Sequence, residues 1–193
     1  MLFKSVAPPK ITELELNFMK EINSKIYSQG EISYGYSYIP ISPEASNYQV
    51  GLCYDNVAQK IEKDGGYAIP GWCIWKSPVL LEAEHHYVWM SPEGNIFDIT
   101  PKSDNGEYIL FVMDPETEYK GYPIPSKRKI LLNHPAVYDM VNIQNQIYDF
   151  QISHWVPYEN RISASKSEMD RFIKLLEIRT KISFEIENLL RNS

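Results

Sequence analysis

The stretch Glu82–Pro101, EAEHHYVWMSPEGNIFDITP, carries two adjacent histidines and an aspartate on either side of a turn sequence. Both halves are aromatic and β-branched, which predicts two strands. Between them SPEGN (Ser91–Asn95) puts Pro at the second turn position and Gly at the fourth, the pattern of a type I turn followed by a glycine bulge. That three-residue loop pairs Ser91 with Asn95 and, counting back, Val88 with Asp98. Side chains alternate along a strand, so Asp98 shares a face with Val88 and with His86. Such a diagonal neighbour lies ~7–8 Å away between backbones, within side-chain reach. His85 then points to the opposite face as a packing or surface residue. A two-residue loop would slip the register by one and bring His85 to Asp98 instead.

Around this hairpin lie further strand candidates, Tyr67–Trp75 (YAIPGWCIW) and Tyr108–Met113 (YILFVM), with turn chemistry at Ser103–Glu107. Together they read as an antiparallel meander. Upstream, Cys53–Asp64 reads as a helix that Gly65 and Gly66 stop. A first helix is expected over about residues 10–27, because Ile11, Leu14, Phe18, Ile22 and Ile26 fall at steps of three and four and Thr12 with Glu15 has capping-box spacing. Residues 28–50 read as loop with one or two short strands, 115–135 as irregular, and Ala136–Phe150 as ambiguous. A last helix is expected over 165–190, with a capping-box spacing at Ser165 and Glu168 and an apolar stripe of Phe172, Leu175, Ile178, Ile182, Ile186 and Leu189. Such a stripe is core or docking surface, which leaves self-association through this helix open. A helix, then several strands, then a helix predicts an α+β chain. We read residues 1–193 as one domain, with a core at about 45–115 and helical additions at 10–27 and 165–190.

The chain's 193 residues can bury a core, and 44% hydrophobic with 23% charged residues is a globular composition. The formal net charge is −6, and SKRK (Ser126–Lys129) is the main basic cluster, so a nucleic-acid footprint is not expected. No apolar run approaches the ~18 residues of a membrane span, so no membrane partner is expected. MLFKSVAPPK (Met1–Lys10) lacks the apolar segment of a signal peptide. Two cysteines are too few for a disulfide framework, and the expected location is cytoplasmic. Neither HExxH nor CxxC occurs, and neighbouring histidines on a strand point apart, so no metal is expected. DGGYAIPG (Asp64–Gly71) is no phosphate loop, and no cofactor is implied.

Chemistry enters with Cys53. It begins the second helix, where unpaired N–H groups and the helix dipole favour a thiolate. A thiol nucleophile needs a base for its proton and a third group to orient that base. His86 and Asp98 on neighbouring strands supply both. Gln49, four residues before Cys53, is a candidate oxyanion donor, as is the backbone N–H of Cys53. Asn56, three residues after Cys53, and the strand residues Trp72 and Trp75 are candidates for a substrate groove. Cys73, between tryptophans, reads as a core residue. His134 and His154 lie outside the cluster and read as structural or exposed.

The helix-borne cysteine in CYDNV (Cys53–Val57), the Gly71–Trp72 strand, HYVW (His86–Trp89) and DITP (Asp98–Pro101) resemble the transglutaminase-like core of the papain-like cysteine protease superfamily. The resemblance covers about Gln49–Pro101, roughly a quarter of the chain. It implies a nucleophile-bearing helix packed on an antiparallel sheet, with a Cys53–His86–Asp98 triad. It also implies chemistry on an amide or related acyl group, as hydrolysis, deamidation or acyl transfer, with a peptide or protein substrate. The doubled histidine departs from the pattern. The rival reading keeps the fold without catalysis, as a binding module that offers its aromatic sheet face to a protein partner.

Overall fold

A computed structural model describes residues 5–23, 35–102 and 106–192. Contacts gather into two compact units. One is formed by Val6–Lys76 and Leu81–Glu118, the other by Ser77–Leu80 and the chain from Tyr119 onward. The chain is α+β, as its sequence pattern predicts, and its main sheet pairs antiparallel.

The first unit contains helices α1 (Glu13–Ile22) and α2 (Cys53–Asp64) and strands β1 (Tyr36–Pro40), β2 (Tyr67–Lys76), β3 (Leu80–Met90, from Leu81 on), β4 (Ile96–Phe97) and β5 (Tyr108–Met113). Helix α1 is shorter than the expected 10–27. It begins where the Thr12 backbone N–H donates to Glu15 Oε2 at 2.8 Å and ends at the cap residue Asn23, while residues 24–27 lie outside the described residues. The β3–β4 hairpin has the register that the turn chemistry predicts. Trp89 faces Phe97, Met90 faces Ile96, and Ser91 N donates to Asn95 O at 2.8 Å. Gly94 takes φ +86°, the left-handed conformation that the bulge needs and that glycine adopts without strain.

The sheet is not a simple meander. Its order is β1–β5–β2–β3–β4, so β5 returns to the free edge of β2. The strand expected at Asn95–Thr100 shortens to Ile96–Phe97 because the chain beyond it leaves β3 for β1. Asp98 makes a parallel bridge with Ile41, Asp98 N donates to Pro40 O (2.9 Å) and Ser42 N to Asp98 O (2.8 Å). This joins the end of β1 to the end of β4, and the sheet closes on itself as a five-stranded ring.

Closure gives the ring an inside and an outside. Ile39, Cys73, Val88, Ile109 and Phe111 fill the inside, with Ile96 packed against them, so every strand contributes. Burying one such side chain fully stabilises by roughly 1.5–3 kcal/mol. Helix α2 lies on the outside. Its buried residues Cys53, Asn56, Val57 and Lys60 follow the helical repeat, and Val57 packs with Trp89 and Ile99, beside Tyr87 and Phe97.

The second unit contains β6 (Lys127–Ile130), α3 (Pro135–His154), β7 (Trp155–Val156), β8 (Arg161–Ile162) and α4 (Lys166–Arg191). The ambiguous segment is helical. His134 Nδ1 caps α3 by accepting from Ala136 N at 3.2 Å, and Pro135 occupies the first turn, where its missing N–H costs nothing. Val137, Met140, Ile143 and Ile147 are its core face, and Ile186, Phe172, Leu175 and Ile182 of α4 pack into the same cluster. The α4 stripe is therefore largely spent within its own unit, with Ile178 left 44% exposed. His154 Nδ1 meets Phe150 O at 2.9 Å and Nε2 meets Glu168 at 3.2 Å.

Candidate active site

His86 and Asp98 meet inside the ring. His86 Nε2 lies 3.0 Å from Asp98 Oδ1, and the two side chains are 7% and 0% exposed. The register of Met90 with Ile96 and Trp89 with Phe97 delivers Asp98, the next residue, to the inner face beside His86. Opposite His86 on β2 stands Gly71, where a Cβ would come 2.2 Å from Val112 O and 2.5 Å from the Phe111 ring. A side chain has no room there.

Asp98 Oδ1 also accepts from Thr100 N at 2.9 Å. Its Oδ2 is buried and accepts no hydrogen bond among the described residues. Lys102 Nζ lies 3.3 Å from it, near enough for an ion pair but outside hydrogen-bond alignment. Burial pushes the Asp98 carboxyl up, but His86, Lys102 and the Thr100 N–H outweigh it and hold the carboxyl below its usual range. For His86 burial opposes the charged form, while Cys73, Asp98 and Cys53 favour it, and its pKa stands well above 6.5. Burial pushes the Cys73 thiol up to about 12, so it is neutral near pH 7. The anion that sustains the imidazolium is therefore Asp98. Because Nε2 is committed to Asp98, Nδ1 is the nitrogen left for proton transfer, and it makes no hydrogen bond among the described residues.

Cys53 opens α2 and is 7% exposed. A thiolate there would favour the His86 imidazolium, and no hydrogen bond joins the two among the described residues. The structure thus brings His86 and Asp98 into contact and leaves Cys53 a separate neighbour. Gln49 is exposed, and its backbone is clamped by the Asn56 side chain. Asn56 Nδ2 donates to Gln49 O (2.8 Å) and Asn56 Oδ1 accepts from Gln49 N (3.2 Å). Asn56 also donates to Thr100 Oγ1 at 3.3 Å and is 1% exposed. It is a tie beneath the loop that leads to Cys53, not the wall of a groove.

The tryptophans part company. Trp72 is 2% exposed with Nε1 donating to Asp114 at 2.8 Å, so it is core and lines no groove. Trp75 shares the inner face with Cys73 and is only partly buried, with Nε1 donating to the exposed Glu84 at 2.9 Å and Lys102 Nζ 4.2 Å over its ring.

His85 points outward, as the register requires. Its Nε2 lies 2.9 Å from Thr117 O, which can only accept, so Nε2 carries a proton. Its Nδ1 accepts a hydrogen bond from the Tyr54 hydroxyl at 2.9 Å. Trp72 and Tyr87 pack edge-on or tilted against the ring. His85 thereby ties the first turn of α2 to the segment after β5.

Sequence reasoning missed Lys102 and Tyr54. Lys102 is four residues after Asp98, in a segment with no periodicity to orient it. Tyr54 was legible only as the residue beside Cys53. No protein-family model matches the chain, and no curated protein or solved structure is significantly similar to it.

Proposed function

We propose that the chain is a thiol enzyme of transglutaminase-like type that acts on an amide or related acyl group of a peptide or protein. The observation that carries this reading is the buried His86–Asp98 pair with Nδ1 uncommitted and a thiol at a helix start beside it. In the proposed reaction the neutral form of His86 takes the Cys53 thiol proton at Nδ1, and the resulting thiolate attacks the acyl carbon. Asp98 holds the imidazolium through Nε2. The tetrahedral oxyanion is met by the Cys53 N–H and the exposed Gln49 side chain. Collapse expels the amine, which takes its proton from Nδ1 and leaves an acyl-enzyme. Water or a second amine then attacks the acyl carbon, gives its proton to His86, and frees the thiol. The first step needs Cys53 to close to hydrogen-bond distance of Nδ1, a tightening that substrate binding commonly supplies.

The rival binding-module reading needs an open aromatic face. Trp72 is 2% exposed, and Tyr87 and Trp89 lie under α2, which counts against it.

The test is alkylation with iodoacetamide, followed residue by residue by mass spectrometry. Cys53 should label at neutral pH much faster than Cys73, which is fully buried and held protonated. His86→Gln should slow Cys53 at least tenfold. Equal, slow labelling of both thiols, unaffected by His86→Gln, would overturn the proposal.

A further inference from the structure

We propose that Lys102 is a positioning residue for the His86–Asp98 pair, a cation that holds the Asp98 carboxylate ionised and turned toward His86. The functional meaning of this rests on the thiol-enzyme reading, but the geometry does not.

Both strong hydrogen bonds to Asp98 fall on one oxygen. Oδ1 accepts from His86 Nε2 (3.0 Å) and from Thr100 N (2.9 Å). Oδ2 is buried without a hydrogen bond, and Lys102 Nζ at 3.3 Å is the charge that faces it. A buried carboxylate oxygen with no donor and no counter-charge is costly. Without Lys102 the group would take up a proton or rotate to find a partner, and either change would weaken its hold on Nε2.

Lys102 is itself held in place. Its Nζ sits 4.2 Å over the Trp75 ring, a favourable cation–π distance, and Trp75 is fixed in turn by its bond to Glu84. The Lys102 side chain is 12% exposed, so the ammonium is partly desolvated and its field is weakly screened. Among the described residues, the titratable groups that also act on this cluster include Cys73 on β2, Glu84 on β3 and Cys53 on α2. Glu84 is exposed and of the wrong sign to replace Lys102. The lowered carboxyl of Asp98 agrees with the assignment, since Lys102 is one of its causes.

The experiment is a pH titration of the His86 side chain by NMR, on the full chain with labelled histidine. The acid limb of the His86 shifts reports the ionisation of Asp98. Lys102→Met should move that limb up by about one pH unit, the usual effect of removing one nearby opposite charge. Lys102→Arg should leave it within about 0.3 of the parent, a small fraction of that same effect. Lys102→Gln supplies the neutral variant if the methionine variant does not fold. An unmoved limb in the neutral variant overturns the proposal. So does an equal rise in the neutral and arginine variants, which would make shape rather than charge the cause. Cys53 alkylation plays no part in this titration, so the role of Lys102 and the thiol chemistry fail separately.

Discussion

On the outer face of β3, His85 has both ring nitrogens engaged, by Tyr54 and by Thr117 O, and three aromatic rings packed around it. On the inner face, one residue later, His86 has one nitrogen on a buried carboxylate and the other uncommitted. Residue type and burial barely distinguish them, since they are 4% and 5% exposed. Partners do. A histidine tied at both nitrogens to neutral groups can only hold structure together. One tied at a single nitrogen to a carboxylate can take up and release a proton at the other. The strand's alternation assigns the two roles.

The largest expected effect sharpens the inner half of that contrast. Asp98→Asn keeps an oxygen for Nε2 but removes the charge that sustains the imidazolium. The turnover of the proposed acyl chemistry should fall by roughly two to four orders of magnitude. A loss below about threefold, under ~0.7 kcal/mol in the barrier, would remove Asp98 from the mechanism.

Next in size is a packing effect on the inner face. Gly71→Ala places a methyl against Val112 O and the Phe111 ring beside His86. Unlike an exposed side chain, a backbone carbonyl in a closed ring cannot swing aside. We expect a loss of about 2–3 kcal/mol in urea unfolding. A neutral substitution would show that the ring opens at β2–β5 more readily than its pairing implies.

The pH dependence of stability tests the inner pair next. The Asp98 carboxyl is lowered, so its contribution is complete above the ordinary carboxylate range and is lost as pH falls through the lowered folded value. His86 is raised, so its contribution is complete below its ordinary 6.5 and is lost as pH rises through the raised folded value. Stability should therefore decline on the alkaline side by at most about 1.4 kcal/mol per pH unit for one proton. His86→Gln should flatten that alkaline limb. A limb that survives the substitution would belong to another group.

Much of this site was legible because it rests on local rules. Turn residues 91–95 fix the register, the register sets Asp98 beside His86, and alternation sends His85 outward. The α2 boundaries were equally legible, from a glycine stop and a helical repeat. Ring closure was not. It depends on a single bridge between Ile41 and Asp98, residues 57 apart that no pattern connects. The return of β5 to β2 was hidden as well, because no local rule pairs Cys73 with Phe111. The helicity of Ala136–Phe150 was hidden for another reason. Its Val, Ile, Tyr and Asn residues favour helix weakly, and the packing of Met140, Ile143 and Ile147 decides the matter. Asn56 and Trp72 look like groove residues by position, yet their polar atoms are already taken by Gln49, Thr100 and Asp114.

The smallest predicted effect tests whether the two faces are independent. Tyr54→Phe removes the hydroxyl that donates to His85 Nδ1 and keeps the ring, with its edge-on contact to Tyr87 at 4.9 Å. The cost should be about 1 kcal/mol, since a buried imidazole nitrogen loses its donor. In a chain of this size that lowers the thermal midpoint by roughly 2–4 °C. His86 and Asp98 lie across the sheet and gain or lose no partner, so the rate of Cys53 alkylation should change less than about threefold, under ~0.7 kcal/mol. A tenfold fall would carry a different lesson. Tyr54 adjoins Cys53 on the first turn of α2, and the outer histidine would then be setting the position of the proposed nucleophile.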